Sequence, residues 1–342
     1  MEFRIAHLVE GVRLDSALRL EPYDLWPIPA ERGFGGQDLR NILNAELRAA
    51  GAVTVVDRPS WGVQVGLYRL LAFAISGPVA LPSPTDIPRS HRIADTLAAG
   101  LTLTFGGTPR VVATVVESRG GSGDEWAECA VIAGGGPMSA PSLVQSGTDD
   151  HPIPLADAAA IWDRATHDER FGLWLSLYRD ALAESRWDTR TFRACVLLEA
   201  IADEVLPKSV PVVDDRGVAL LLDPRTPATT AHLRGALYAL VQSSARALGL
   251  DPATLSSRPD ADLWSEIQIW ADVRNAVAHT GSWSGGNATR RLRLLGAFDA
   301  AGRGDAGDGM HRYALRACAG VELALRATEA GAFGDTASGS VT

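Results

Sequence analysis

The residues best suited to chemistry in this sequence are an arginine, an asparagine and a histidine within one short segment, Arg274, Asn275 and His279. The planar guanidinium of arginine donates two hydrogen bonds to phosphate oxygens and keeps its charge. Histidine exchanges a proton near neutral pH, so it serves as a general acid or a general base. Asn275 precedes His279 by four residues on the same helix face, where it could fix the ring's tautomer. Together these residue types indicate acid–base chemistry on a phosphate ester.

A long amphipathic segment that begins near Asp260 must position these side chains. Its apolar and small residues recur at helical spacing, and Thr280-Gly281 is typical of a helix stop because glycine readily adopts the left-handed conformation. The polar residues therefore occupy the last turns of a helix, where packing alone would favour aliphatic side chains. The predicted face comprises Ile267, Trp270, Ala271, Arg274, Val277 and Ala278.

The residues around the motif make it a more specific signal than the spacing of Arg274 and His279 alone. The spacing alone decides little, because the chain has 32 Lys and Arg residues and seven His. In Arg-Asn-x-x-x-His, however, the asparagine directly follows the arginine, small apolar residues fill the gap, and two helices of matching character precede it. In this setting the motif resembles the HEPN domain family, and the upstream helices are similar to its Apea-like branch. The resemblance covers about the second half of the chain.

The resemblance implies a metal-independent endoribonuclease that requires no cofactor. Arg274, Asn275 and His279 would be its catalytic residues. One histidine per chain falls short of an acid–base pair, and HEPN ribonucleases are similar in working as homodimers whose two motifs converge on one cleft. Proteins with this arrangement belong to bacterial antiphage defence, where an Apea-type nuclease arrests the cell by abortive infection after cutting tRNA or other host RNA.

Other residues are expected to support this site. Glu199 lies on the apolar face of an upstream helix, so it is expected to orient Arg274 or a helix end. Asp203 is the alternative ion-pair partner of Arg274, and such a pair would also suit a purely structural arginine. His279 as a helix C-cap and Asn275 as a structural hydrogen bonder are the corresponding alternatives. Arg290, Arg291 and Arg293 follow in a basic segment that either contacts RNA or forms a solvated helix face.

Composition sets the limits of these interpretations. The net charge of −9 argues against a protein that coats nucleic acid with its whole surface, although it permits a local basic site. The three cysteines, Cys129, Cys195 and Cys318, are far apart and form no C-x-x-C pair, so buried reduced thiols in a cytoplasmic protein are expected. No apolar stretch has the length of a membrane span, and no membrane partner is predicted.

The chain is predicted to contain two domains and a tail. Residues 1–150 show a helix over 38–50 and short β-rich runs, among them 53–56, 101–105 and 111–116, which indicates an α+β domain with a mostly antiparallel sheet. The run 127–133 is expected to pair with 111–116. Residues 151–330 carry helical periodicity with short connections, which predicts an all-α, HEPN-like helical bundle. One of its helices is expected to begin with Asp188-Thr189 as its cap, and a short helix is expected over 288–300. Residues 331–342 are predicted to be a disordered tail. By its position, the first domain would be a sensor or regulator that responds to a phage-derived trigger.

Two other functions fit the same pattern. The first is a catalytically inactive HEPN-like module for dimerisation or nucleotide binding. The second is a toxin held by a separately encoded nucleotidyltransferase antitoxin. Loss of RNA cleavage in variants of Arg274 and His279 that remain folded dimers would separate the nuclease from the inactive module.

Overall fold

The computed structural model describes ten segments of the chain, which group into two compact units, Met1–Arg179 and Asp180–Thr342. The helix predicted over 38–50, the strand over 53–56, the helix over 288–300 and most of the tail lie outside the described residues. The described ranges are 2–10, 18–20, 23–27, 73–79, 86–105, 108–119, 127–133, 155–251, 262–283 and 306–333.

A six-stranded antiparallel sheet forms the first unit's main layer, in the order β2-β3-β4-β1-β5-β6. Ile5, His7 and Val9 of the central strand are buried in alternation, as expected for one face of a strand. The predicted pairing of 127–133 with 111–116 is present, in a register that sets Val116 opposite Ala130. The strands are β1 (Glu2–Glu10), β2 (Leu18–Leu20), β3 (Tyr23–Pro27), β4 (Phe73–Val79), β5 (Arg110–Arg119) and β6 (Ala127–Ala133).

Helix α1 (Asp86–Phe105) corrects one prediction, because the β-rich run expected at Leu101–Phe105 is its last turn. The Leu-Thr-Leu-Thr alternation favours a strand locally. The helical spacing of Ala94, Leu97, Ala98 and Leu101 prevails because it buries all four side chains in one core cluster with β-strand residues. The alternating pattern is thus overridden by tertiary packing.

Helices α2 (Leu155–His167) and α3 (Glu169–Ala183) follow, and the division between the units falls within α3. The first unit therefore includes α2 and most of α3, whereas the sequence predicted a boundary near residue 150. Arg179 on α3 donates to both carboxylate oxygens of Asp95 on α1, over 2.6 and 3.1 Å. This bidentate pair fixes α3 to α1.

Among the described residues of the second unit four helices follow α3, and the described part of the chain is mostly helical, consistent with a helical bundle. Helix α4 packs against α6 and α7, and α5 packs against the same two. A two-stranded hairpin, β7 (Leu221–Asp223) and β8 (Thr226–Pro227), connects α4 to α5. The helices are α4 (Trp187–Val205), α5 (Leu233–Ala247), α6 (Leu263–Thr280) and α7 (Ala306–Glu329).

Helix α6 is largely buried in this unit over its first three turns. Trp270 is fully buried, and a Cβ added at Gly320 of α7 would lie 3.4 Å from its Cζ3 atom. A glycine there lets α7 approach the indole closely. Asp272 accepts a hydrogen bond of 2.8 Å from Arg234 on α5 and is itself buried. These contacts hold the N-terminal half of α6 and leave its last two turns to extend toward solvent.

The ends of the helices match the prediction at α6 and differ at α4. Gly281 has a φ of 72° and donates its N–H to Val277 O, which confirms the predicted stop. Helix α4 was expected to begin with Asp188-Thr189 as its cap. It begins at Trp187 instead, because Asp188 lies inside the first turn and is held by the Arg186 guanidinium.

Within the residues that the structure describes, no helix is both long enough and apolar enough to cross a membrane.

Candidate functional site

Arg274 lies where α6 leaves the core, and its guanidinium joins two helices. Its Nη2 atom donates to Glu199 Oε2 of α4 over 2.8 Å, and its Nη1 atom donates to Asn275 Oδ1 over 3.2 Å. The Arg274 side chain is 26% exposed and that of Glu199 is 37% exposed. The pair is thus fixed in orientation on one side and open to solvent on the other.

Of the two acids predicted to support Arg274, the structure places Glu199 with it. Asp203, one turn further along α4, forms an exposed ion pair with Lys208 just beyond the helix end. The i, i+4 spacing of the two acids puts both on one helix face, but the last turn of α4 points Asp203 toward the following loop. The predicted supporting role therefore falls to Glu199 alone.

His279 is exposed on the last turn of α6. The carbonyls of Ala276 and Val277 in this turn accept from groups other than the His279 ring. Gly281 N donates to Val277 O over 2.8 Å, and Thr280 Oγ1 lies 2.8 Å from Ala276 O. The imidazole is therefore available at the surface without disturbing the cap.

The last two turns of α6 present one exposed arc of side chains. Successive residues of a helix are about 100° apart, so Arg274 and His279 point about 140° from each other, with Ala278 and Asn275 between them. Burial follows this order, because Ala278, Asn275 and His279 are exposed and Arg274 is half-buried at the border. Arg274 and His279 therefore flank a shallow surface rather than converge within one chain.

Two ion pairs that involve α6 differ in how far they are exposed to solvent. Arg234 and Asp272 pair over 2.8 Å with side chains only 19% and 4% exposed, as expected for a contact that anchors the helix. Arg274 and Glu199 pair over the same distance at the edge of the bundle. A half-exposed ion pair contributes little to the free energy of unfolding. This contribution is by itself a weak reason for an arginine at position 274.

Three residues that no pattern in the sequence singled out adjoin this end of α6, namely Arg186, Trp187 and Trp283. Arg186 donates from Nη2 to Gly281 O over 3.4 Å and is also held by Asp188, to which Nη2 donates over 2.9 Å. Trp187 packs against Trp283 with ring centroids 5.3 Å apart and planes tilted by 54°. The two tryptophans are 96 positions apart in the chain, so no local pattern in the sequence could have paired them.

Cys195 and Cys318 are not nucleophiles in this site. Cys195 on α4 and Cys318 on α7 are buried and free, as predicted for reduced structural thiols. Burial raises the pKa of Cys318 to about 12 and raises that of Cys195 as well, so both stay protonated.

The predicted RNA-binding residues Arg290, Arg291 and Arg293 lie outside the described residues.

Comparisons with known proteins identify no relative of this chain. No protein-family model matches the sequence. Curated proteins and solved structures likewise give no significant match.

Proposed function

We propose that this chain is a metal-independent endoribonuclease that cleaves RNA at a site composed from the α6 ends of two identical chains. The observation that carries the proposal is the exposed arc of α6, where Arg274, held by Glu199 and Asn275, and His279 flank a shallow surface. Cationic and proton-transferring groups are what cleavage of a phosphodiester requires.

The reaction follows from the chemistry of RNA. A general base removes the proton from the ribose 2′-hydroxyl, and the oxygen attacks the adjacent phosphorus. The bond from phosphorus to the 5′-oxygen breaks, and a general acid protonates that oxygen. The products are a 2′,3′-cyclic phosphate and a 5′-hydroxyl. Guanidinium groups stabilise the extra negative charge on the phosphorane between these steps.

A second copy of the chain supplies what one chain lacks. One arc offers a single histidine, and the angle of about 140° keeps its arginine away from it. Two arcs facing each other across a two-fold axis would bring together two histidines and two arginines, because such an interface repeats each contact. One His279 would then act as base and the other as acid. The dimer is therefore part of the proposed mechanism.

Glu199 and Asn275 act on the guanidinium rather than on the substrate. Each accepts one of its N–H groups, which fixes the plane of the arginine fork relative to α6. A guanidinium held in this way binds a phosphate with less loss of side-chain freedom than a mobile one. Both residues are positioning residues in this proposal.

The biological setting is carried by the HEPN resemblance alone. We propose a cytoplasmic antiphage nuclease acting on tRNA or other host RNA, with the first unit as sensor or regulator of a phage-derived trigger. A catalytically inactive dimerisation module is the rival, and the ion pair of Arg274 with Glu199 would suit it equally.

The test is incubation of the purified protein with total tRNA in EDTA. The nuclease hypothesis predicts fragments with wild type, none with His279→Ala, and full activity with His167→Ala, an exposed histidine that also ends a helix. Intact tRNA with folded wild-type protein and a full panel of host RNAs would support the inactive module.

A further inference from the structure

We propose that Ser90 of the first unit is a nucleophile, activated by His7, that takes an acyl group from esters with a good leaving group. None of the residues involved belongs to the Arg274–His279 motif. The inference therefore stands independently of the proposed nuclease activity and gives the first unit a chemistry of its own.

Three elements of the first unit bring the site together. His7 lies on β1, Thr114 is its cross-strand neighbour on β5, and Ser90 lies on α1. The His7 Nε2 atom is 2.6 Å from Ser90 Oγ, and its Nδ1 atom is 2.9 Å from Thr114 Oγ1. A hydroxyl within hydrogen-bond reach of a base that a third group orients is the arrangement of an activated nucleophile.

His7 is a polar residue in an apolar row of β1. Ile5 and Val9, its neighbours on the same face of the strand, are fully buried. An aliphatic side chain between them would pack without hydrogen-bond partners, whereas a buried imidazole needs a partner for each nitrogen. Packing alone therefore favours an aliphatic residue at this position.

The hydrogen bonds allow the tautomer that this role requires. A neutral imidazole carries one hydrogen, so one ring nitrogen donates and the other accepts. With the hydrogen on Nδ1, His7 donates to Thr114 Oγ1, and its Nε2 atom accepts from the Ser90 hydroxyl. Thr114 holds the ring with Nε2 toward Ser90 and is thus a positioning residue.

Burial keeps this base unprotonated at neutral pH. His7 is 1% exposed, and desolvation lowers its pKa to about 4, with a smaller effect from the charge of His91. The ring therefore holds a proton weakly and passes it on readily. Esters whose leaving group departs with little help, such as aryl esters and thioesters, are the acyl donors that suit such a base.

Ser90 is the member of the cluster that a substrate can reach. Pro88 and Arg89 before it are exposed, Ser90 is half-buried, and the buried stripe of α1 begins one turn later at Ala94. An acyl group can approach Ser90 from solvent while the imidazole stays between helix and sheet.

The acyl transfer balances in two steps. The Ser90 oxygen attacks the carbonyl carbon of the ester as its proton passes to His7 Nε2, and the bond from that carbon to the leaving group breaks. His7 gives the proton to the leaving group, and an acyl ester remains on Ser90. A water molecule then attacks the same carbon, and its proton passes through His7 to the departing Ser90 oxygen. The net reaction is hydrolysis of the ester to an acid and a phenol or thiol.

The test is labelling of the whole chain with a fluorophosphonate probe, which phosphonylates activated serines, followed by peptide mass spectrometry. The probe should modify Ser90 in the wild type. We expect His7→Asn to slow this labelling at least about 100-fold, and Ser176→Ala, a truncation of a half-buried serine on α3, to leave it unchanged. Folded wild-type protein that stays unlabelled at Ser90, or labelling at the wild-type rate in His7→Asn, would overturn the proposal.

Variants of Thr114 keep the test decisive if His7→Asn folds poorly. Thr114→Val removes the acceptor of the ring and should slow labelling of Ser90 roughly tenfold. Thr114→Ser keeps a hydroxyl and should restore the rate to within about threefold of wild type. Equal rates for Thr114→Val and Thr114→Ser would contradict the positioning of His7 on which the proposal depends.

The class of acyl donor is tested with p-nitrophenyl acetate and ethyl acetate. We expect p-nitrophenolate release and an acetyl group on Ser90 with the first ester, neither of them in Ser90→Ala, and no acetyl group from the second. An acetyl group on Ser90 from neither ester, or from both at similar rates, would overturn the assignment.

Discussion

Arg274 Nη2 lies 2.8 Å from Glu199 Oε2, and this ion pair joins the emerging end of α6 to the middle of α4. The same guanidinium donates to Asn275, so two acceptors define its plane. An arginine required only for charge would need neither acceptor. The orientation of the Arg274 guanidinium, and not only its charge, is therefore the property to test.

Replacing Arg274 by lysine keeps the charge and loses the planar fork. We expect RNA cleavage to fall roughly 10- to 100-fold. The free energy of unfolding should change by less than about 1 kcal/mol, because half-exposed ion pairs contribute little. Arg246→Lys, which alters the exposed pair with Asp215 in the same unit, is the matched control and should leave cleavage unchanged. A fall in activity that merely tracks a loss of stability would assign Arg274 a structural role.

Mixing wild type with His279→Ala tests the composite site. If both histidines of a dimer are needed, mixed dimers are inactive, and an equal mixture co-refolded to exchange subunits retains about a quarter of the wild-type activity per total chain. Independent sites would instead retain about half. The same preparations should have the mass of a dimer by light scattering, and a monomeric wild type that cleaves RNA would refute the composite site.

His7 predicts a pH-dependent stability of the first unit. Its ring lies between Thr114 Oγ1 and Ser90 Oγ, at 2.9 and 2.6 Å, with His91 nearby. Burial, and to a lesser degree the charge of His91, lowers the pKa of His7 to about 4. The folded state therefore binds fewer protons than the unfolded state. Stability is full above about pH 6.5 and is lost as the pH falls toward 4, by roughly 3 kcal/mol in all.

Chemical denaturation between pH 4 and pH 7 measures this effect. His7→Asn should be less stable near pH 7 and should lose less stability on acidification than wild type. The exposed His167→Asn variant should follow wild type throughout. Parallel curves for all three proteins would show that carboxylates alone cause the acid sensitivity.

Gly235 predicts a severe effect of adding a single methyl group. A Cβ at this position would lie 2.1 Å from Thr229 O, so the start of α5 would have to move. Arg234, which anchors Asp272 of α6, lies in the same turn. We expect Gly235→Ala to lower the free energy of unfolding by about 3 kcal/mol or more. Gly320→Ala, whose nearest contact would be the movable Val241 side chain at 3.3 Å, should cost only about 1 kcal/mol. Equal melting temperatures for the two variants would contradict this difference.

The sequence predicted the positions of local elements well and the contacts between distant elements poorly. The extent of α6 and its stop at Gly281 were predictable, because amphipathic spacing and a terminal glycine are local signals. Glu199 could be nominated because a carboxylate on an apolar face needs a partner. The choice between Glu199 and Asp203, however, depends on where α4 ends relative to α6, which no local pattern encodes.

Two features escaped prediction for related reasons. The contact of Trp187 with Trp283 joins residues far apart in the chain, and it exists because α4 begins where α6 ends. Leu101–Phe105 alternates like a strand but completes α1, since the buried stripe of that helix continues through Leu101. In both cases packing between elements decides the outcome.

The chemical ends of the RNA fragments test the central claim most directly. Purified wild-type protein is incubated with tRNA in EDTA, and the fragments are analysed by mass spectrometry. We expect 2′,3′-cyclic phosphate and 5′-hydroxyl ends that disappear with His279→Ala. Fragments with 3′-hydroxyl and 5′-phosphate ends, or cleavage that survives the loss of His279, would contradict it.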